Sequence, residues 1–380
     1  MEGSESLNEA RSLELMEVKM DGKRKKALIA MSGGVDSSLA AKLMKDRGYD
    51  CIGCTMKLYQ NEDAGIERSR TCCSLDDVED ARNVAYRLGM PFYVFNFTDA
   101  FRHAVIRKFT ESYLQGMTPN PCIDCNRYMK FDKLFERAKI LGCDHIVTGH
   151  YARIEQEDGK FLLKKALDET KDQSYVLYSM NQEQLAHTVF PLGELRKTEV
   201  RALAAESGFL NANKPDSQDI CFVPDGDYAR VIQLQTGKQA VPGKFVDQEG
   251  RVLGEHKGII HYTIGQRKGL GISSAEPLYV CKICPKSGNI VLGNAKKLLK
   301  NEAKVTDFNW ISGETPQKAI RCKVKIRYRQ PEQWATVTPC GEDAAYIRFD
   351  TPQRAITPGQ AAVLYDGDTV LGGGTVCSDE

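Results

Sequence analysis

No run of about 18 consecutive apolar residues occurs in this chain, so the sequence offers no candidate for a membrane-spanning helix. Residues 1–24 are polar, with acids and bases mixed and no apolar centre, so they read as a disordered leader without a secretory signal, and a cytoplasmic location is expected. An excess of charge of either sign is missing too. The formal net charge is +1, which gives no overall field to recruit nucleic acid, so any such contact must rest on local patches. Internal repeats and low-complexity tracts are also absent, and 380 residues exceed one core of ordinary size, so two or three domains are expected. Cysteine is abundant instead. Without an export signal, the 13 cysteines read as thiols, metal ligands or catalytic groups rather than as a disulfide framework.

The most informative stretch runs from Lys26 to Met44, where an apolar segment stops at Gly33 and Gly34 and restarts as Ser37-Ser38-Leu39-Ala40-Ala41. This predicts a strand, a phosphate-binding loop and a helix. The glycines let the backbone turn and approach a ligand, while the unpaired N–H groups opening the helix attract an anion. The loop lacks the Gly-Lys-Ser/Thr ending of a Walker loop, so the hydroxyls of Ser32, Ser37 and Ser38 replace a lysine as contacts. Asp36 would repel bare phosphate, which points to a metal–nucleotide complex with Mg2+.

From Lys26 to Thr148, strands and helices alternate: helices are expected over Asp76–Leu88, Ala100–Gln115 and Arg127–Leu141, between strands at Cys51–Tyr59, Phe92–Phe97 and Asp144–Thr148. That pattern predicts an α/β fold with a doubly wound parallel sheet, whose ligands lie at the carboxyl ends of the strands. A hairpin over Arg153–Lys165 and helices near Tyr175–Leu185 and Arg196–Ser207 follow. Residues 25–221 are expected to form this nucleotide-binding domain, 222–302 a small β-rich central domain, and 303–380 a C-terminal β-barrel.

Thr118-Pro-Asn-Pro-Cys-Ile-Asp-Cys-Asn126 places two cysteines at the start of a helix, where the dipole is expected to lower a thiol pKa. Cys221 stands alone between polar residues and an apolar strand. Cys51-x-x-Cys54 and Cys281-x-x-Cys284 read as packing, because no second pair follows at zinc-finger spacing, and Cys72-Cys73 as packing or capping. Of the two histidines flanking a strand end, His145 is expected in the core and His150 exposed to the site. Lys323, Lys325, Arg327 and Arg329 would share one face of a strand, either as a strip for a phosphate backbone or as a solvated face.

Together these pieces carry a family resemblance. Ser32-Gly-Gly-Val-Asp-Ser37 looks like the loop of the PP-loop ATP pyrophosphatases, and the chain from Lys26 onward resembles the tRNA-specific 2-thiouridylases. The matching segments are Thr55–Lys57, Cys73-Ser74, Thr118–Pro121, Cys125-Asn126, Thr148–Arg153, Lys171–Tyr175, Ile220–Phe222, Tyr262–Gly271, Lys325–Arg329 and Thr357–Gln360.

The resemblance implies ATP-dependent adenylation of C2 of the wobble uridine, followed by sulfur transfer from a cysteine persulfide, giving 2-thiouridine, AMP and pyrophosphate. It puts Ala30, Met31, Ser32, Gly33, Gly34, Val35, Asp36, Ser37, Met56 and Gly149 at ATP, and Asn120, Pro121 and Cys122 at the target base. Cys125 would be the nucleophile and Cys221 the persulfide carrier, within disulfide reach of each other. His150, Lys171, Asp172, Gln173, Arg327, Tyr328 and Gln360 would contact tRNA at its anticodon loop. A monomer is expected, supplied with sulfur by a relay protein or a cysteine desulfurase. Better-known bacterial members carry Asp where this chain has Cys122, so a rival route would use Cys122, Cys125 and Cys221 as ligands of an iron-sulfur cluster. Two further readings are an amide-forming PP-loop ligase and an RNA-binding scaffold that uses nucleotide as a switch.

Overall fold

The computed structural model describes residues 24–60, 75–212, 214 and 220–378. Cys72, Cys73 and Ser74 lie outside the described residues. The apolar segment after Lys25 forms β1 (Lys26–Ala30), fully buried from Ala27 to Ile29, and α1 (Val35–Asp46) follows from the N-cap Gly34. Strands β2 (Asp50–Lys57), β3 (Phe92–Asn96), β4 (His145–Val147) and, later in the chain, β7 (Thr188–Val189) complete a parallel sheet of order β3-β2-β1-β4-β7. The direction of winding reverses between β1 and β4, the switch point at which sheets of this kind bind a ligand beside the loops after both strands.

Two expected helices are drawn out by a wide-turned segment. Residues 98–114 form α3 with five π-helical residues (Arg102–Ile106), and 121–140 form α4 with nine (Cys125–Lys133). α4 thus begins six residues before the expected Arg127, because Pro121 occupies its first position and the Asn120 side chain accepts the Cys122 N–H. α2 (Leu75–Arg87) matches the expected span closely. The helix expected near Tyr175–Leu185 is instead a 3-10 turn (Ser174–Leu177) and a short α5 (Gln182–Ala186), which starts at Asn181 with a capping box to Gln184.

The hairpin β5 (Ala152–Glu157) and β6 (Lys160–Lys165) lies between β4 and β7 in sequence but pairs elsewhere. Lys164 pairs with Thr369, and Arg153 donates to Asp368, so the hairpin extends the C-terminal sheet rather than the parallel one. α6 (Lys197–Glu206) packs back on α1, and α7 (Tyr228–Thr236) follows, closed by the left-handed Gly237. A central sheet of β8 (Gly243–Val246), β9 (Val252–His256), β10 (Tyr279–Cys284) and β11 (Asn289–Gly293), in order β10-β11-β8-β9, closes on Phe245, Val280 and Ile290.

Six antiparallel strands then form a closed barrel: β12 (Leu299–Trp310), β13 (Ile320–Lys325), β14 (Gln333–Pro339), β15 (Ala344–Arg354), β16 (Ala361–Asp366) and β17 (Thr369–Val376). The β12–β17 pairing seals it. β13 ends at Lys325, so the expected four-residue basic face is broken: Lys323 and Lys325 lie on the strand, Arg327 and Arg329 in the turn beyond it.

Candidate functional site

The switch point between β1 and β4 is built around the 32–38 loop. Gly33 is left-handed (φ 75°), and a Cβ there would lie 2.4 Å from the Asp77 carbonyl oxygen, so neither its conformation nor its space admits another residue. Gly149, just past β4, is set so close that a Cβ would come within 2.8 Å of the Asp36 carbonyl carbon and the Ser37 nitrogen. The loop is tied down internally. Ser37 Oγ accepts the Ser32 N–H at 3.1 Å and donates to the Gly34 carbonyl at 3.1 Å, while the buried Asn211 donates to the Gly33 carbonyl and to Ser38 Oγ, both at 2.9 Å. Met31 and Val35 point into the core, so they offer a nucleotide only backbone groups; Ser32 is exposed, and Ala30 and Met56 are half-buried at the strand ends.

Asp36 is not free beside the loop. Lys197, from the first turn of α6, donates to both its carboxylate oxygens at 2.7 and 2.8 Å, and the Tyr151 hydroxyl donates to Oδ1 at 2.8 Å. The sequence showed a loop without a lysine; the fold supplies one from 161 residues away. The Arg196-Lys-Thr-Glu199 pattern signals a helix start, but nothing local says which carboxylate its lysine meets.

The turn before α4 is held by loops of both later domains. Thr118 donates its N–H to the Pro358 carbonyl at 2.8 Å, its own carbonyl accepts the Gln360 amide at 2.7 Å, and its hydroxyl lies 3.2 Å from that of Thr263. Pro121 is buried and Cys122 exposed, with Asn120 between them in accessibility. Cys125 lies one turn further in, half-buried against the same core cluster that Cys221 borders. Its thiol departs from expectation. Burial pushes it up to about 11; Lys130 pulls it down, while Cys122 and Asp124 push it up. The dipole acts on the first turn's unpaired N–H groups, and α4 begins early enough to leave Cys125 beyond them.

Cys221 is fixed through its backbone. Tyr59, two residues past the end of β2, donates to the Cys221 carbonyl at 2.6 Å, and Phe222 packs edge-on against Phe101 and Phe109. Among the described residues no three His, Cys, Asp or Glu side chains stand together as a metal-ligand set, so the fold does not assemble Cys122, Cys125 and Cys221 for a cluster. Cys51 and Cys54 are fully buried, as packing residues should be.

Several residues expected at tRNA are structural. His150 is buried between Phe131 and Phe190 rather than exposed; its Nε2 accepts from Lys130 at 3.2 Å, which leaves Nδ1–H to donate to Thr148 at 2.7 Å. Burial and the Lys130 charge hold it neutral, well below the usual histidine range. Asp172 is buried too, accepting from the N–H groups of Ala166 and Ser174 and from the Ser174 hydroxyl. Arg327 Nη2 donates to the carbonyls of Ile264 and Ala355 and to Thr357 Oγ1, joining the central sheet to the barrel. Tyr328 donates to the Asp172 carbonyl at 3.0 Å, and Gln173 accepts the Tyr151 N–H at 3.0 Å; Lys171 is half-buried on the same loop.

Three family models match the chain in order: a tRNA methyl transferase HUP domain over residues 25–225, a tRNA methyl transferase PRC-barrel domain over 231–294, and an aminomethyltransferase beta-barrel domain over 300–376. A tRNA-specific 2-thiouridylase MnmA of Clostridioides difficile (strain 630) is 51% identical over 93% of this chain and 98% of its own length. The protein of the same description from Symbiobacterium thermophilum is 50% identical over 93% of this chain and 92% of its own. Among solved structures, a 4-thiouridine synthetase in complex with RNA and bound ATP is 21% identical, covers 53% of this chain and 45% of that one, and has a TM-score of 0.35, a likeness too distant to carry an argument.

Proposed function

Because the chain belongs to the tRNA-specific 2-thiouridylases, which are tRNA-uridine 2-sulfurtransferases, we propose that it thiolates C2 of the wobble uridine by adenylation followed by persulfide transfer. The observation that carries the reading is a shared core cluster. The phosphate loop lies at the switch point of the sheet, and Cys125 and Cys221 border the same cluster as Ala30 and Met56 at the ends of β1 and β2.

In the first step the uridine O2 bonds to the α-phosphorus of ATP, the bond to the bridging oxygen breaks with its electron pair leaving on pyrophosphate, and the N3 proton is lost. The backbone N–H groups opening α1 and the hydroxyls of Ser32 and Ser37 would hold the phosphates. Mg2+ accompanying the nucleotide would meet Asp36 and neutralise phosphate charge. In the second step the terminal sulfur of a Cys221 persulfide attacks C2 and AMP leaves. The Cys125 thiolate then attacks the Cys221 Sγ, so the S–S bond breaks, sulfur stays on C2, and a Cys125–Cys221 disulfide remains for reduction by two thiol equivalents. The base must be splayed from the anticodon loop to reach the turn. Lys171, Gln173 and Tyr328 offer a surface for the tRNA, while His150, Asp172, Arg327 and Gln360 act beneath it through Lys130, Ser174, Thr357 and Thr118. A sulfur-relay protein or a cysteine desulfurase would load Cys221.

The test is tRNA-dependent release of pyrophosphate from labelled ATP, with nucleoside mass spectrometry of the tRNA. Release together with 2-thiouridine is expected. Release that tRNA does not stimulate would favour an amide-forming ligase, and turnover with tRNA but no incorporated sulfur would favour a nucleotide-switched RNA scaffold.

A further inference from the structure

The 32–38 loop has no basic residue of its own, yet its one carboxylate is matched by a lysine brought from a distant helix. The Lys197 side chain is 10% exposed and that of Asp36 29%, so the pair is partly desolvated. The base of the lysine is anchored: its N–H donates to Asp168 Oδ2 at 3.0 Å, and the Arg196 N–H to Glu199 at 2.6 Å. Its ammonium lies 5.6 Å from the centre of the Tyr151 ring, whose hydroxyl donates to the same carboxylate. A partly buried ion pair of this kind contributes little net stability, because desolvation offsets attraction. Its electrical consequence is larger. Paired, Asp36 no longer cancels the positive end of α1, and a triphosphate with several charges competes with one carboxylate for the ammonium.

We infer that Lys197 is a positioning cation of the phosphate site, paired with Asp36 and passed to the pyrophosphate portion of ATP when nucleotide binds. The inference rests on the reading of the loop as an ATP site. In adenylation the electron pair of the breaking P–O bond moves onto the β-phosphate, and an ammonium already aimed at that group stabilises the developing charge without reorganising solvent. Asp36 is thereby released toward the metal that accompanies the nucleotide. The lysine then does the work of a Walker lysine from outside the loop.

The experiment compares wild type with Lys197→Met, Lys197→Arg and Asp36→Asn by calorimetric titration with pyrophosphate and, separately, with AMP. Lys197→Met is expected to weaken pyrophosphate about tenfold, the size of one charge-assisted hydrogen bond, while AMP affinity stays within about twofold. Lys197→Arg recovers part of the loss. Asp36→Asn, which takes the competing carboxylate charge away from the ammonium, tightens metal-free pyrophosphate even though adenylation is crippled. Unchanged pyrophosphate affinity in Lys197→Met overturns the inference, and so does an equal loss of AMP, which would mark a purely structural pair. Wild-type protein that binds neither ATP nor pyrophosphate would instead overturn the ATP reading itself.

Discussion

Cys125 gives the sharpest quantitative expectation. Burial holds its thiol up to about 11 in the free protein, with Lys130 as the one cationic influence drawing it down. A thiol loses thiolate tenfold for each pH unit below its pKa, so at pH 8 about one molecule in a thousand is ionised here, against roughly a quarter of an ordinary cysteine of pKa about 8.5. Alkylation by iodoacetamide, followed at Cys125 by peptide mass spectrometry, should therefore be about 200-fold slower than for a free thiol at pH 8. The rate should climb tenfold per pH unit from 7 to 10 without levelling. Lys130→Met removes the lowering influence and should slow the reaction further at every pH. A plateau below pH 9, or a rate at pH 8 close to that of a free thiol, would refute the account of an unactivated, buried nucleophile that substrate must bring into play.

Asp36→Asn and Ser37→Ala, both in the first turn of α1, should each lower tRNA-dependent pyrophosphate release by at least about tenfold, measured at a temperature where circular dichroism shows the variant folded; release at the wild-type rate would remove the loop from the mechanism. Cys122→Ser should retain thiouridine formation under aerobic purification while Cys125→Ser and Cys221→Ser abolish it; three equally dead variants, with iron bound to anaerobic wild type, would sink the persulfide assignment. Arg327→Ala removes three hydrogen bonds and should cost about 2–3 kcal/mol, seen as a lower urea midpoint, with the salt slope of tRNA binding unchanged. A slope smaller by about one would return Arg327 to the phosphate backbone. Burial lowers the His145 pKa to about 4, and its Nδ1 has no hydrogen-bond partner among the described residues. The unfolded chain thus binds a proton first on acidification, so stability should fall as pH drops from about 6.5 towards 4, less so in His145→Gln. Equal urea midpoints for wild type at pH 7.5 and 4.5 would contradict this.

Local features were legible because their causes are local. The strand, double glycine and helix at Lys26–Met44 follow from apolar runs and backbone freedom, and the α/β order followed by a barrel follows from periodicity and turn residues. Core cysteines such as Cys54 were identifiable for the same reason, since their neighbours alternate on a buried strand. Partners remote in sequence were not legible. Nothing near Lys197 names Asp36, nothing near Gln360 names the Thr118 carbonyl, and nothing near Arg327 names Ile264. His150 follows a strand end and looked exposed until Phe131 and Phe190 closed over it. The dipole argument for Cys125 failed over a matter of residues, because Asn120 caps α4 early and places the thiol one turn too deep. The sequence by itself determined the elements, their order and the chemistry available, because propensity, capping and periodicity act over a few residues. Only the tertiary structure decided which charges are paired, which thiols are desolvated and which polar groups remain for substrate, because hydrogen bonds and burial depend on residues more than a hundred positions apart.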